Sequence, residues 1–129
     1  LVIRKENGRT YDRFRNRITF AIQSISGQVV AFGARRLGTD ENSPKYINSP
    51  ETDVYQKRFI LYGLFWAREA MRKTDRAVFV EGYTDVIALH RNGMPIAVAT
   101  NADRATTFAI PRSAMPRRMP HEQVQQLQM

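Results

Sequence analysis

The chain has 129 residues, 43% hydrophobic and 25% charged, the balance of a globular protein with one core or two small ones. Lys and Arg number 20 against 12 Asp and Glu; the net charge of +8 and pI near 10.4 point to a polyanionic partner, nucleic acid ahead of a membrane surface. Cysteine is absent, which excludes disulfides and cysteine-ligated zinc or iron, and no apolar stretch is long enough to span a membrane.

The first residues, Leu1-Val2-Ile3-Arg4-Lys5-Glu6, lack the order of a secretory signal, so a cytoplasmic location is expected. A start on Leu rather than Met suggests a piece of something longer. Residues 4–17 are dense in charge, with Phe14 set between Arg13 and Arg15, a composition suited equally to a charged loop and to a single strand's phosphates and bases. From Ile18 apolar residues alternate through Phe20 and Ile22. Ser26-Gly27 then makes a turn, and Val29-Val30-Ala31-Phe32 resumes the run, which predicts a β-hairpin followed by Arg35, Arg36 and a loop from Gly38 to Pro44. Prolines 44 and 50 bar residues 44–52 from a helix interior or a central strand; Lys45-Tyr46 with Asn48-Ser49 offers a point charge and neutral hydrogen-bond donors to a phosphate, but Asn48 or Ser49 with Pro50-Glu51 reads first as the start of a helical turn.

Residues 57–73 carry apolar side chains at helical spacing around Gly63, which predicts an amphipathic helix with Phe59, Tyr62, Phe65 and Trp66 packed against a sheet. Thr74-Asp75-Arg76 is a linker. Val78-Phe79-Val80 then reads as a buried strand, Tyr83 to His90 as a helix stopped by Asn92-Gly93, and residues 95–100 as a parallel neighbour strand. After Thr100 scattered prolines and a Gln-rich end predict a poorly ordered tail.

Glu81 follows the strand directly, on the edge where parallel sheets bind ligands, and is placed to act as a general acid or base or as a ligand for a hard cation. Asp85 lies one helical turn later, placed to cap the helix or reach the site as an outer ligand. A two-metal centre needs several converging acids, which Glu81 alone does not supply. His90 falls on the apolar side of the helix and reads as packed and hydrogen-bonded, and the chain has no Gly-rich phosphate loop or nucleophile elbow.

Five runs then stand together: Tyr11-Asp12-Arg13-Phe14-Arg15-Asn16-Arg17-Ile18, residues 30–38, Pro44-Lys45-Tyr46-Ile47-Asn48-Ser49-Pro50-Glu51-Thr52, Leu61-Tyr62-Gly63-Leu64, and Val80-Glu81-Gly82-Tyr83-Thr84-Asp85 with its helix. In this order and spacing they resemble the catalytic core of bacterial DnaG-type DNA primases over residues 9–100. The resemblance implies an α+β fold: a basic N-terminal subdomain with a hairpin and helix over residues 1–75, then the start of a TOPRIM α/β unit over 76–100, with 101–129 a non-matching tail. It implies synthesis of short RNA primers on single-stranded DNA from ribonucleoside triphosphates with Mg²⁺ or Mn²⁺, and a replicative helicase as partner of the full-length protein. Glu81 matches the family's first acidic residue, tied to metal binding and catalysis, and Asp85 the acid four positions on. Arg13, Arg15, Arg17, Lys45, Tyr46, Asn48 and Lys57 match residues lining the template and nucleotide groove.

Arg58 follows Lys57 where the family usually has glycine. Family members also continue with an Asp-x-Asp pair that completes the metal site; this sequence contains none, and Asn101-Ala102-Asp103-Arg104 stands where the continuing loop is expected. The expectation is therefore a primase fragment inactive by itself, with a frame shift after Thr100 as one origin. The alternatives are a non-catalytic single-strand-binding module and another TOPRIM enzyme, a topoisomerase or nuclease.

Overall fold

A computed structural model describes residues 2–39 and 42–100; the expected disordered tail, with Asp103, lies outside the described residues. Two short strands open it, β1 (Val2–Arg4) and β2 (Thr10–Asp12), paired antiparallel within the charged stretch. Next comes the expected hairpin, β3 (Arg17–Gln23) and β4 (Val29–Arg36), turning at Gly27 with φ +90°. Its alternation puts Ile22 and Ala31, opposite each other, in the core, while Ile18, on the same face at the far end of β3, is exposed; Ala34 is buried on the other face. Arg35 and Arg36 do not follow the second strand as expected; they are its last residues, because the ladder with β3 continues to Arg17 opposite Arg36.

The segment between the prolines departs further from expectation. Tyr46–Asn48 is a strand, β5, antiparallel to β4, with Asn48 opposite Gly33 and Tyr46 opposite Arg35. It is an edge strand, which the flanking prolines tolerate because neither sits within the ladder. Ser49 does not start a helical turn: its N–H donates to Phe32 O (2.8 Å) and its hydroxyl accepts from Phe32 N (2.9 Å), extending the pairing by one residue.

The expected helix over 57–73 divides into three. Lys57–Phe59 forms a 3-10 turn, Leu61–Tyr62 is a strand (β6), and the helix proper, α1, runs Leu64–Thr74 from Gly63 at φ +86°. Arg58 is not among the positive-φ residues, so the turn holds an arginine without the torsions glycine permits. Of the four aromatics expected in the core only Tyr62 is buried; Phe59 and Trp66 are about half exposed and Phe65 is intermediate.

Beyond the left-handed cap at Asp75, β7 (Val78–Val80), α2 (Tyr83–Arg91) and β8 (Ala97–Thr100) form the expected parallel unit, with Val80 opposite Ala99. Asn92 and Gly93 end α2, and His90 Nε2 lies 2.9 Å from Ala97 O, a packed and hydrogen-bonded histidine as its position on the helix suggests. The sheet runs β6-β8-β7, with β6 antiparallel to β8. One apolar cluster gathers Leu61, Leu64, Ala67, Met71, Ala77 and Val98 between α1 and this sheet. A second, with Ile22, Ala31, Tyr55, Tyr62, Tyr83, Val86 and Ala99, joins the two larger sheets. No described helix is long and apolar enough to cross a membrane.

Candidate functional site

The β7–α2 junction faces the β5 edge across a cleft of ≈790 Å³, lined by Arg13, Tyr46, Ile47, Asn48 and Lys57 on one side and residues 81–85 with Thr100 on the other. Parallel-strand geometry accounts for the second wall. β7 ends at Val80, Glu81 is exposed directly beyond it, and Gly82 is the N-cap of α2, so side chains at the strand's carboxyl end face the open space above the sheet. Asp85, in the first turn of α2, leans back over Gly82: a Cβ there would sit 3.0 Å from Asp85 Oδ2. Its charge is favourable at the positive end of a helix.

The basic wall is held by hydrogen bonds. Arg13 donates from Nε (3.1 Å) and Nη2 (2.9 Å) to Asn48 O, which locks the turn after β2 onto β5. Glu51 Oε1 accepts from Lys57 N–H (2.8 Å), starting the 3-10 turn that carries Lys57 to the cleft. The expected residues therefore divide. Arg13, Tyr46, Asn48, Lys57, Glu81 and Asp85 come together in the cleft; Arg15, Arg17 and Lys45 do not line it. Arg17 reaches Ser43 Oγ (2.6 Å), Pro44 O (2.7 Å) and Lys45 O (3.4 Å), so it fastens the strand leading into β5. Arg15 lies 4.9 Å above the Tyr11 ring and Lys45 5.8 Å above that of Tyr46, cation–π pairs on the surface.

Tyr83 was not expected at the site. Helical periodicity marks it as an apolar-face residue, and its ring does stack on Phe20 at 5.1 Å and meet Tyr62 edge-on at 4.7 Å. Its hydroxyl, however, donates to Asn48 Oδ1 at 2.9 Å. An aromatic two positions after a strand-end acid, carrying a hydroxyl where phenylalanine would pack equally well, is the one signal the sequence offered.

Burial pushes the Tyr83 phenol up to about 12, assisted by Tyr62. Burial raises Tyr62 as well, and Tyr55 further still. In the unfolded chain these phenols ionise near 10, so the folded state holds more protons above that pH. The stability they contribute is whole below pH 10 and falls as pH rises through the folded values, for Tyr83 by about 1.4 kcal/mol per pH unit between about pH 10 and about pH 12. Thermal melts between about pH 9 and about pH 12 should show this decline, with a shallower slope in Tyr83→Phe; equal slopes in both proteins would contradict it.

The sequence model of the family described as "DNA primase catalytic core, N-terminal domain" matches residues 1–68. The DNA primase of Halalkalibacterium halodurans is 52% identical over 100 residues, which cover 78% of this chain and 16% of that protein. That of Pseudomonas aeruginosa is 51% identical over 100 residues, 78% of this chain and 15% of its own length. Among solved structures, a DNA primase domain from P. aeruginosa superposes with a TM-score of 0.73 at 48% identity, covering 82% of this chain and 32% of that one. The E. coli primase catalytic core gives 0.69 at 46% identity, covering 77% and 31%. A DnaG primase catalytic domain bound to single-stranded DNA gives 0.70 at 45%, covering 79% and 32%. The chain thus spans about one sixth of the length of the curated relatives it matches. These matches favour neither a topoisomerase, a nuclease nor a stand-alone binding module.

Proposed function

Because this chain belongs to the family of DNA primase catalytic cores, we propose that its cleft is the template- and nucleotide-facing part of a primase, a nucleotidyltransferase making RNA primers on single-stranded DNA. The observation that carries this reading is the meeting of Arg13 and Lys57 with Glu81 and Asp85 across one cleft. Cations on one wall offset phosphate charge, while the Asn48 amide and Tyr46 hydroxyl supply neutral hydrogen bonds. Arg15, Arg17 and Lys45 are the family's remaining groove residues; Arg15 and Lys45 extend the basic surface beyond the cleft, and Arg17 supports it from behind.

The two acids suit Mg²⁺ or Mn²⁺, hard cations that accept one or two carboxylates and take their other oxygens from water and substrate phosphates. Glu81 would hold the ion, with Asp85 as an outer or supporting ligand, and the ion when bound would neutralise charge developing on the transferring phosphoryl group. A two-ion clamp needs several converging acids, and the Asp-x-Asp pair that completes the family's metal site does not occur in this sequence. We therefore take the chain to be inactive by itself. Residues 1–75 would form the N-terminal subdomain and 76–100 the start of the TOPRIM unit, with β6 and α1 forming the seam. Ribonucleoside triphosphates, a replicative helicase contacted by other parts of the full-length protein, and a cytoplasmic setting complete the proposal.

Titration of this chain with a labelled DNA oligonucleotide tests it. Binding should weaken with salt, with a slope of about −0.7 per phosphate engaged. Lys57→Ala should lower affinity severalfold and flatten the slope by about 0.7, while Glu81→Gln still binds. DNA binding lost only in Glu81→Gln would overturn the assignment of the two walls. With all four ribonucleotides and Mg²⁺ no primer is expected, and robust product would refute the claim that the chain is catalytically incomplete.

A further inference from the structure

The two walls of the cleft come from different sheets, so something must set the gap between them. Tyr83 bridges it. It is the first residue of α2, two positions after Glu81, and only 7% exposed. Phe20 and Tyr62 hold its ring, and Gly33 lies so close that a Cβ there would come within 2.5 Å of the phenol. A ring confined by these groups aims its hydroxyl in one direction, and that hydroxyl donates to Asn48 Oδ1. Asn48 passes the constraint on, since its carbonyl receives both Arg13 hydrogen bonds and its strand pairs with Gly33.

We propose that Tyr83 is a positioning residue: by holding Asn48 it sets the placement of the Asn48–Arg13 wall relative to Glu81. The inference rests on the reading of the cleft as a nucleic-acid site. Were Tyr83 only a core aromatic, phenylalanine would serve equally, because the ring contacts need no oxygen. A buried hydroxyl donating across two sheets has a use that packing does not supply.

Tyr83→Phe in this chain decides between the two roles. Its affinity for a single-stranded DNA oligonucleotide should fall about tenfold, and the slope of log affinity against log salt should flatten by about 0.7, one phosphate contact, as Arg13 loses its alignment. A smaller folded fraction would lower apparent affinity without changing that slope, so the slope separates positioning from general destabilisation. Asn48→Ala should reproduce the effect, and it preserves the test should Tyr83→Phe not fold. The double variant should bind as Asn48→Ala does, because both changes break one linkage. Additive losses would overturn the proposal, as would a Tyr83→Phe protein, or an Asn48→Ala protein, that matches wild type in affinity and slope. A wild-type chain without salt-sensitive DNA binding would overturn the reading of the cleft and this inference together. Normal wild-type binding beside an indistinguishable Tyr83→Phe variant would overturn the inference alone.

Discussion

Gly63→Ala is expected to remove about 2–5 kcal/mol of folding stability, a large share of the roughly 5–15 kcal/mol typical of such domains. Two costs combine. Gly63 has φ +86°, where an L side chain costs about 1–2 kcal/mol. Its new Cβ would also lie 2.8 Å from Val86 Cγ1 and 3.3 Å from Ala97 O, in a site where Val86 is 1% exposed and Ala97 fully buried. Overpacking of this kind costs about 1–3 kcal/mol. Gly8→Ala is the control, since Gly8 has φ +78° but nothing within 4 Å of its Cβ position, and it should lose only the torsional part. Urea unfolding followed by circular dichroism measures both. Equal losses in the two variants would mean that the Val86 contact relaxes freely.

Gly33→Ala should act on the fold and the cleft together. The added methyl would meet Tyr83 Cε2 and the phenol oxygen at 2.5 Å. The ring cannot withdraw without leaving Phe20 and Tyr62, and its movement breaks the bond to Asn48. A loss of about 2–4 kcal/mol is expected from overpacking and an unsatisfied phenol, with weakened DNA binding alongside. On a Tyr83→Leu background the same substitution should be nearly neutral, the clash having been removed. A full cost on that background would place the strain elsewhere in β4.

The parts of this fold legible in the sequence are those whose pattern is local. The β3–β4 hairpin shows alternation and a Ser-Gly turn, and the β7–α2–β8 unit shows two apolar runs with a short helix between them. β5 escaped because three residues between prolines carry no period, and its partner β4 lies more than ten positions back. β6 was hidden by helical spacing that continues through it. Leu61 and Tyr62 have the right periodicity for α1, and only pairing with Ala99 and Thr100, nearly forty residues on, makes them a strand. Tertiary pairing there overrides a local preference.

The site divides in the same way. A carboxylate at a strand end is visible in sequence, and Glu81 stands where it was expected. Charge alone does not say whether an arginine faces a ligand or a carbonyl. Arg13 lines the cleft and also donates to the Asn48 carbonyl, and Arg17 is spent on the chain before β5. Tyr83 was missed because its contribution is an oxygen, and periodicity registers only the ring.

The place of β8 in the order β6-β8-β7 bears on how the chain is made. Sheet β3-β4-β5 has all its strands once residue 48 has been synthesised. Neither β6 nor β7 has its partner until residues 97–100 follow, because both pair with β8. Domains generally fold in the order in which they leave the ribosome. The cation-bearing half of the cleft can thus close early, while the acids wait on the last described strand, so the nascent protein carries a bare basic surface before it has the carboxylates that face it.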